Sequence, residues 1–154
     1  MLLIVFHIDD DRFGLDVDQV IEVAPIVLLK KAAHTPGYVA GLFNYRGTVV
    51  PVIDLTKLIT GKPSQPLMST RIVLVDYTGA DNAHHILGIM VERVMETVNY
   101  RDEDFQPPGF EQENTQYLGD IIIDENGMIQ RIKVDNILPE SLQKLLFKKS
   151  GETL

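Results

Sequence analysis

Apolar and polar positions along this chain fall into short runs of Val, Ile and Leu, cut at close intervals by Gly, Pro, Asn and Asp. That is the pattern of an all-β sandwich or barrel. Runs at residues 2–8 and 12–16 flank an acidic turn, and further predicted strands lie at 47–55, 71–77, 85–90 and 121–124. The run at 128–134 follows Asn126-Gly127, a pair that reads as a hairpin turn. Helices are predicted to be few and short. The clearest covers 139–149, with Pro139 at its first position and Glu140 near the positive end of the helix dipole. Leu142, Leu145 and Leu146 line one face, and Lys148 and Lys149 stand at the negative end. Two stretches read as connections: 60–69, with Pro63 and Pro66, and 101–116, with Pro107-Pro108-Gly109. The second is longer than most ordered loops and reads as a solvated connector, with a recognition loop as the alternative.

An internal repeat organises these elements. The segment from Phe13-Gly14-Leu15-Asp16 to Val20-Ile21-Glu22 parallels Leu87-Gly88-Ile89-Met90 to Val94-Met95-Glu96, 74 residues on. Val39-Ala40-Gly41-Leu42-Phe43 echoes Tyr117-Leu118-Gly119-Asp120-Ile121 at a separation of 78, and Ile53-Asp54-Leu55 echoes Ile132-Lys133-Val134 at 79. Three blocks in one order and at near-constant spacing describe two related halves, roughly 1–69 and 70–138, with exchange of strands between them allowed. Each half is near the lower limit for a core of its own. The 154 residues are therefore expected to fold as one unit around a shared interface, with a groove at the seam.

Composition narrows the chemistry. The chain carries 14 Lys+Arg against 22 Asp+Glu, a net charge of -8, which opposes the phosphate neutralisation that drives nucleic-acid binding. It has no cysteine, hence no disulfide framework, thiolate metal site or cysteine nucleophile, and a cytoplasmic location fits best. No run approaches a membrane span, so no direct membrane insertion is expected. Ser64, Ser69, Ser141 and Ser150 lie outside any nucleophile elbow. His84 and His85 are adjacent, so in a strand they face opposite ways and cannot chelate one ion together. His34 reads as a loop residue. The Asp9-Asp10-Asp11 cluster lacks the glycine and glutamate spacing of a calcium loop, and Gly61-Lys62-Pro63 lacks the rest of a phosphate loop. No catalytic set, metal site or cofactor is nominated.

The run Tyr38-Val39-Ala40-Gly41-Leu42-Phe43-Asn44-Tyr45-Arg46-Gly47, continued by Thr48-Val49-Val50-Pro51-Val52-Ile53-Asp54-Leu55, resembles the most diagnostic stretch of CheW-type coupling proteins. Phe13 to Val17 with Val20, Glu22 and Val23 resembles the family's first hairpin and its Val-x-Glu-Val signature, while Thr70 to Val75 and Leu87 to Val91 resemble its second. The resemblance implies two SH3-like five-stranded barrels around a shared hydrophobic core. It also implies a non-catalytic adaptor between the cytoplasmic tip of a chemoreceptor-like protein and the regulatory domain of a CheA-type histidine kinase. The turn at 44–47 and the ending Leu138-Pro139-Glu140 with Leu145-Leu146-Phe147 are similar to the Wsp branch, which implies surface sensing with a diguanylate cyclase as output. Lys133 and Met90 depart from the common pattern, where an aspartate and a smaller aliphatic residue are frequent.

Carried onto matching positions, the resemblance implies partner contacts at or near Val20, Glu22, Gly41, Asn44, Arg46, Gly47 and Val91. The residues also admit internal roles. Arg46 can offer a planar multi-donor contact to a partner or brace its own turn. Gly41 and Gly47 can serve tight backbone geometry or close approach. Val20 and Val91 can belong to the core. An adaptor is the leading reading, with a small-ligand-binding β module second and a small hydrolase third.

Overall fold

In a computed structural model, which describes residues 1–109 and 115–147, the chain forms ten strands in two five-stranded sheets. They are β1 (Leu2–Ile8), β2 (Asp11–Asp16), β3 (Val20–Pro25), β4 (Val39–Tyr45), β5 (Thr48–Asp54), β6 (Arg71–Thr78), β7 (His84–Val91), β8 (Val94–Asn99), β9 (Leu118–Asp124) and β10 (Gly127–Ile132). One sheet runs β3-β6-β7-β5-β4 and the other β8-β1-β2-β10-β9. Each curls until its ends meet. Lys30, beyond β3, pairs with Leu42 of β4, and Gln106, beyond β8, pairs with Ile121 of β9. The protein is thus all-β, with two SH3-like barrels.

The barrels exchange hairpins. The β1–β2 hairpin joins β8, β9 and β10, while β6–β7 joins β3, β4 and β5. Matching registers make the two sets equivalent: β2 runs parallel to β10 with Gly14 opposite Arg131, and β7 runs parallel to β5 with Gly88 opposite Val52. Both glycines serve close approach. A Cβ on Gly14 would meet Leu3 at 3.0 Å, and one on Gly88 would meet Val52 at 2.9 Å.

Exchange buries both faces of the donated hairpins. Ile72 and Leu74 of β6 fill the lumen of one barrel with Val50 and Val52, while Val73, Val75 and Tyr77 face the seam with Phe6, Phe13, Leu15, Ile53 and Leu87. Leu3 and Val5 of β1 fill the other lumen with Tyr100, Ile122 and Ile129. Continuous apolar runs such as Leu3-Ile4-Val5-Phe6 follow from this, because neither side of the strand meets water there.

Three strands, β3, β4 and β8, were not among the runs predicted from periodicity. Burial alternates along β3, but the outward Ile21 and Val23 are apolar while the inward Glu22 is charged, so the residue types do not show the polar–apolar alternation of a half-buried strand. A helix also went unpredicted. α1 (Leu55–Thr60) is capped by Asp54, whose carboxylate accepts from the Lys57 amide at 3.2 Å, and it ends at Gly61 with φ 80. The same carboxylate takes the Ser64 amide at 2.8 Å and the Ser64 hydroxyl at 2.5 Å. At the equivalent place Lys133 has no acceptor to offer, and only a short 3-10 turn, Val134–Asn136, follows.

The last helix, α2, spans Glu140–Leu146, one residue later than predicted, with Pro139 as its extended flanking residue. Leu142 is buried and Leu146 partly so, but Leu145 is 48% exposed and does not share their face. Phe147 takes its place, stacked on Tyr77 at 5.5 Å and His85 at 4.4 Å. Lys148 and Lys149 lie outside the described residues. The turn after β9 uses Glu125-Asn126, with Gly127 following at φ 113.

These contacts separate the leucines of α2. Leu142→Ala is expected to cost about 2–5 kcal/mol and Leu145→Ala less than about 0.5 kcal/mol in urea unfolding. Equal losses would mean that the helix packs differently.

Candidate functional site

The Asn-x-Arg-Gly segment forms the tight turn between β4 and β5. Tyr45 pairs with Thr48, leaving a two-residue loop in which both Arg46, at φ 52, and Gly47, at φ 89, have positive φ. Such a turn matches the twist of its strands and normally favours Asn or Gly at both places. Glycine at 47 supplies this freely, whereas arginine at 46 holds a conformation uncommon for its type. The Asn44 side chain steadies the loop by accepting the Gly47 amide at 2.9 Å.

From this tip Arg46 reaches β3, where its Nη2 donates to Glu22 Oε1 at 3.4 Å, and its guanidinium lies 5.2 Å from the centre of the Tyr45 ring. The pair connects the two end strands of the sheet. With the Arg46 side chain 76% exposed and that of Glu22 40% exposed, the contact lies in the range of surface ion pairs, roughly 0–1 kcal/mol. Its larger consequence is orientation: one nitrogen is held and the rest of the fork faces outward. Exposed Ile21 and Val23 flank Glu22 in the chain, and exposed Val49 lies opposite Asn44. The side chains shown against the guanidinium are the Tyr45 ring and the Glu22 carboxylate, and Tyr and Arg are residue types enriched at protein-binding hot spots.

Glu22, Asn44, Arg46 and Gly47 thus come together on one surface. Val20 stands at the start of β3, half-buried and packed on the shared core. Gly41 is internal: its φ is 149, and a Cβ there would lie 2.6 Å from the Lys30 carbonyl that closes the barrel. Val91 has no exposed surface and sits in the shared core, the internal role its residue type also admits. Tyr45, Ile21, Val23 and Val49 escaped the sequence reading, because alternation alone does not tell the wet face of a strand from the dry one.

The other barrel closes on a different charge arrangement. Arg12 of β2 makes a two-nitrogen contact with Asp124, at 2.7 and 2.8 Å, and reaches Glu96 of β8 at 3.3 Å. The Asp124 carboxyl is held below its ordinary value by the hydrogen bonds from Arg12, and the Arg12 guanidinium is correspondingly raised. Arg131 is clamped by Asp16 and Asp102 and lies 3.8 Å from the centre of the Phe105 ring.

His84 and His85 point to different carboxylates, Asp76 at 2.9 Å and Asp81 at 3.2 Å. Among the described residues no group of three or more His, Asp or Glu is arranged to hold a metal. A cleft of about 390 Å³ lies between the β6–β7 tip and α2, and another of about 310 Å³ beside Arg131. Neither contains any of the seven residues above. Among the described residues no helix is long and apolar enough to cross a membrane.

Two hairpin-exchanged five-stranded barrels define a double-barrel β module. Residues 2–142 match the CheW-like domain model, and the chain belongs to that family. It is 28% identical over 141 residues to the probable chemotaxis protein CheW of Rhizobium etli, covering 90% of this chain and 88% of the relative. It is 25% identical over 139 residues to chemotaxis protein CheW of Rhizobium meliloti, covering 89% and 86%. The solved scaffolding protein TtCheW from Thermoanaerobacter tengcongensis is 26% identical and superposes with a TM-score of 0.77 over 98% of this chain and 90% of the other.

The Arg12–Asp124 contact carries a pH signature. A carboxyl lowered in the folded state contributes stability above its ordinary value of 3.8, and this is lost as pH falls through the lower folded value. Asp124→Asn is therefore expected to lower stability at pH 6 by on the order of 1 kcal/mol or less and to flatten its decline in acid. Urea midpoints at several pH values check this, and parallel curves for the two proteins would remove Asp124 from the acid transition.

Proposed function

We propose that this chain is a non-catalytic adaptor that couples the cytoplasmic tip of a chemoreceptor-like protein to the regulatory domain of a CheA-type histidine kinase. Family membership supports the scaffold role, and the Rhizobium relatives carry the name of a chemotaxis protein. The observation that carries the reading is the positive-φ turn presenting Arg46, pinned by Glu22 yet largely open to solvent. Holding an exposed arginine in an uncommon backbone conformation adds little to stability and orients a multi-donor group toward a partner. The protein works in the cytoplasm and reaches the membrane through its receptor. A surface-sensing pathway with cyclic-di-GMP output is the finer reading, and it rests on the likeness of the 44–47 turn and the chain ending to the Wsp branch.

The repeat units 1–69 and 70–138 are proposed to fold only together, since each contributes a hairpin to the other's sheet. Expressed singly, each should give no cooperative melt, whereas the two mixed should recover one. A cooperative melt for 1–69 alone would show that exchange is dispensable.

Arg46→Ala should leave the melting temperature nearly unchanged and weaken binding to the receptor tip or the kinase regulatory domain by roughly 1–4 kcal/mol, the range of interface hot spots. Melt and titration on one preparation separate this from an internal role. Full affinity for both partners in the folded variant would refute the assignment.

A further inference from the structure

The turn between β9 and β10 carries reactive chemistry of its own. Asparagine occurs at positions 44, 82, 99, 114, 126 and 136, and only Asn126 is followed by glycine. The following residue governs how easily its own backbone nitrogen reaches the asparagine side chain, because a Cβ there crowds the approach and glycine has none. Residues 125–128 are all exposed, and a Cβ built on Gly127 would meet nothing within 4 Å. Water and the reacting groups therefore have room.

The Asn126 side chain is also uncommitted. The Asn44 carboxamide is held by the Gly47 amide at 2.9 Å, and that of Asn136 by the Gln116 carbonyl at 3.1 Å. Among the described residues the Asn126 carboxamide has no hydrogen-bond partner, and only its backbone amide is engaged, donating to Asp124 Oδ1 at 2.8 Å. Gly127 follows at φ 113 and pairs with Asp124 as the outermost rung of the β9–β10 ladder. An end rung opens by local fraying without disturbing the pairs behind it, which frees the Gly127 nitrogen to react.

We propose that Asn126 is a modification site, deamidating spontaneously through a cyclic imide in the folded protein and thereby loosening the Arg12 contact that closes the barrel of β1, β2, β8, β9 and β10. The Gly127 nitrogen gives its proton to hydroxide and bonds to Asn126 Cγ. The Cγ–Nδ2 bond breaks, and ammonia leaves with a proton taken from water. Water then opens the imide. Cleavage at Cγ gives aspartate, and cleavage at the backbone carbonyl gives isoaspartate, whose main chain runs through the side chain and is longer by a methylene. Nothing is oxidised or reduced, and the net exchange is ammonia out and water in.

Both products disturb the same neighbours. Asp124 Oδ1, which accepts the Asn126 amide, also accepts Arg12 Nη1 at 2.7 Å, and Arg12 ties β2 to β9 and to Glu96 of β8. Aspartate at 126 would extend Asp124-Glu125 to an unbroken acidic run, placing like charge beside that carboxylate. Isoaspartate lengthens the turn, which cannot then keep both the amide bond to Asp124 and the Gly127 register.

The test holds the full folded chain in warm, mildly alkaline buffer and follows it by isoelectric focusing and peptide mass mapping. A band one charge more acidic than the native -8 should grow, at a rate proportional to hydroxide concentration. The converted peptide should be the one containing Asn126, resolved into aspartate and isoaspartate forms. Asn126→Gln and Asn126→Ser should each abolish the band, and either variant that keeps the wild-type melt serves as the control. The converted fraction, isolated by ion exchange, should unfold at lower urea concentration and show shifted signals at Asp124 and Arg12. Faster conversion at any other asparagine, or conversion confined to chain unfolded in urea, would overturn the proposal. So would a converted fraction with the native urea midpoint and native Arg12 signals, because the Arg12 contact would then not depend on the turn.

Discussion

The burial of the donated hairpins on both faces is the constraint on which the rest of the molecule depends. A strand in a single small barrel has one dry face, whereas β1, β2, β6 and β7 have a lumen on one side and the seam on the other. Val73, Val75 and Tyr77 alternate with Ile72 and Leu74 along one strand, and each set belongs to a different core. Neither barrel is complete without the other's repeat unit, because the strand that runs parallel to β5 or β10 comes from the opposite half. The seam cluster draws on both sheets and the C-terminal helix, so it binds the two barrels into one body.

This arrangement frees the outer strands. With the core filled from the hairpins, β3 need fully bury only Ala24, and its outward Ile21 and Val23 are available for contact. The turn at 46–47 can hold an arginine at positive φ because the β4–β5 pairing and the Asn44 contact fix it from both sides. Presented surfaces on a rigid double barrel suit a scaffold, whose partners meet a surface already formed.

Pseudo-symmetry in the backbone coexists with asymmetry in charge. The amides of Asp54 and Lys133 donate to the carbonyls of Tyr38 and Tyr117, both at 2.7 Å, so the main chain repeats closely. The side chains diverge. Asp54 caps a helix and fastens the following loop, while Lys133 leaves a single 3-10 turn. One barrel links its turn and outer strand through Arg46 and Glu22, and the other through Arg12 between Asp124 and Glu96. Two halves of common design thereby present different surfaces.

Much was legible in the residues. Apolar runs marked the doubly buried strands, since a segment such as Arg71-Ile72-Val73-Leu74-Val75 has few other stable uses, and the repeat marked two related halves. The Asn44 to Gly47 segment carried its turn chemistry openly, because positive φ, an amide acceptor and glycine are local requirements. Other features depended on distant chain. Strands β3 and β8 owe their form to pairing with β6 and β1, not to any pattern of their own. Val91 and Arg46 stood alike as family positions, and only the exchange of β7 into the seam made one core and the other surface. The exposure of Leu28 and Met68 was equally hidden, since an apolar residue in the sequence reads as a core residue until the fold shows that nothing covers it. Local sequence sets backbone preference and burial tendency, while the partner on each face is decided by long-range packing, and function at a surface depends on that second term.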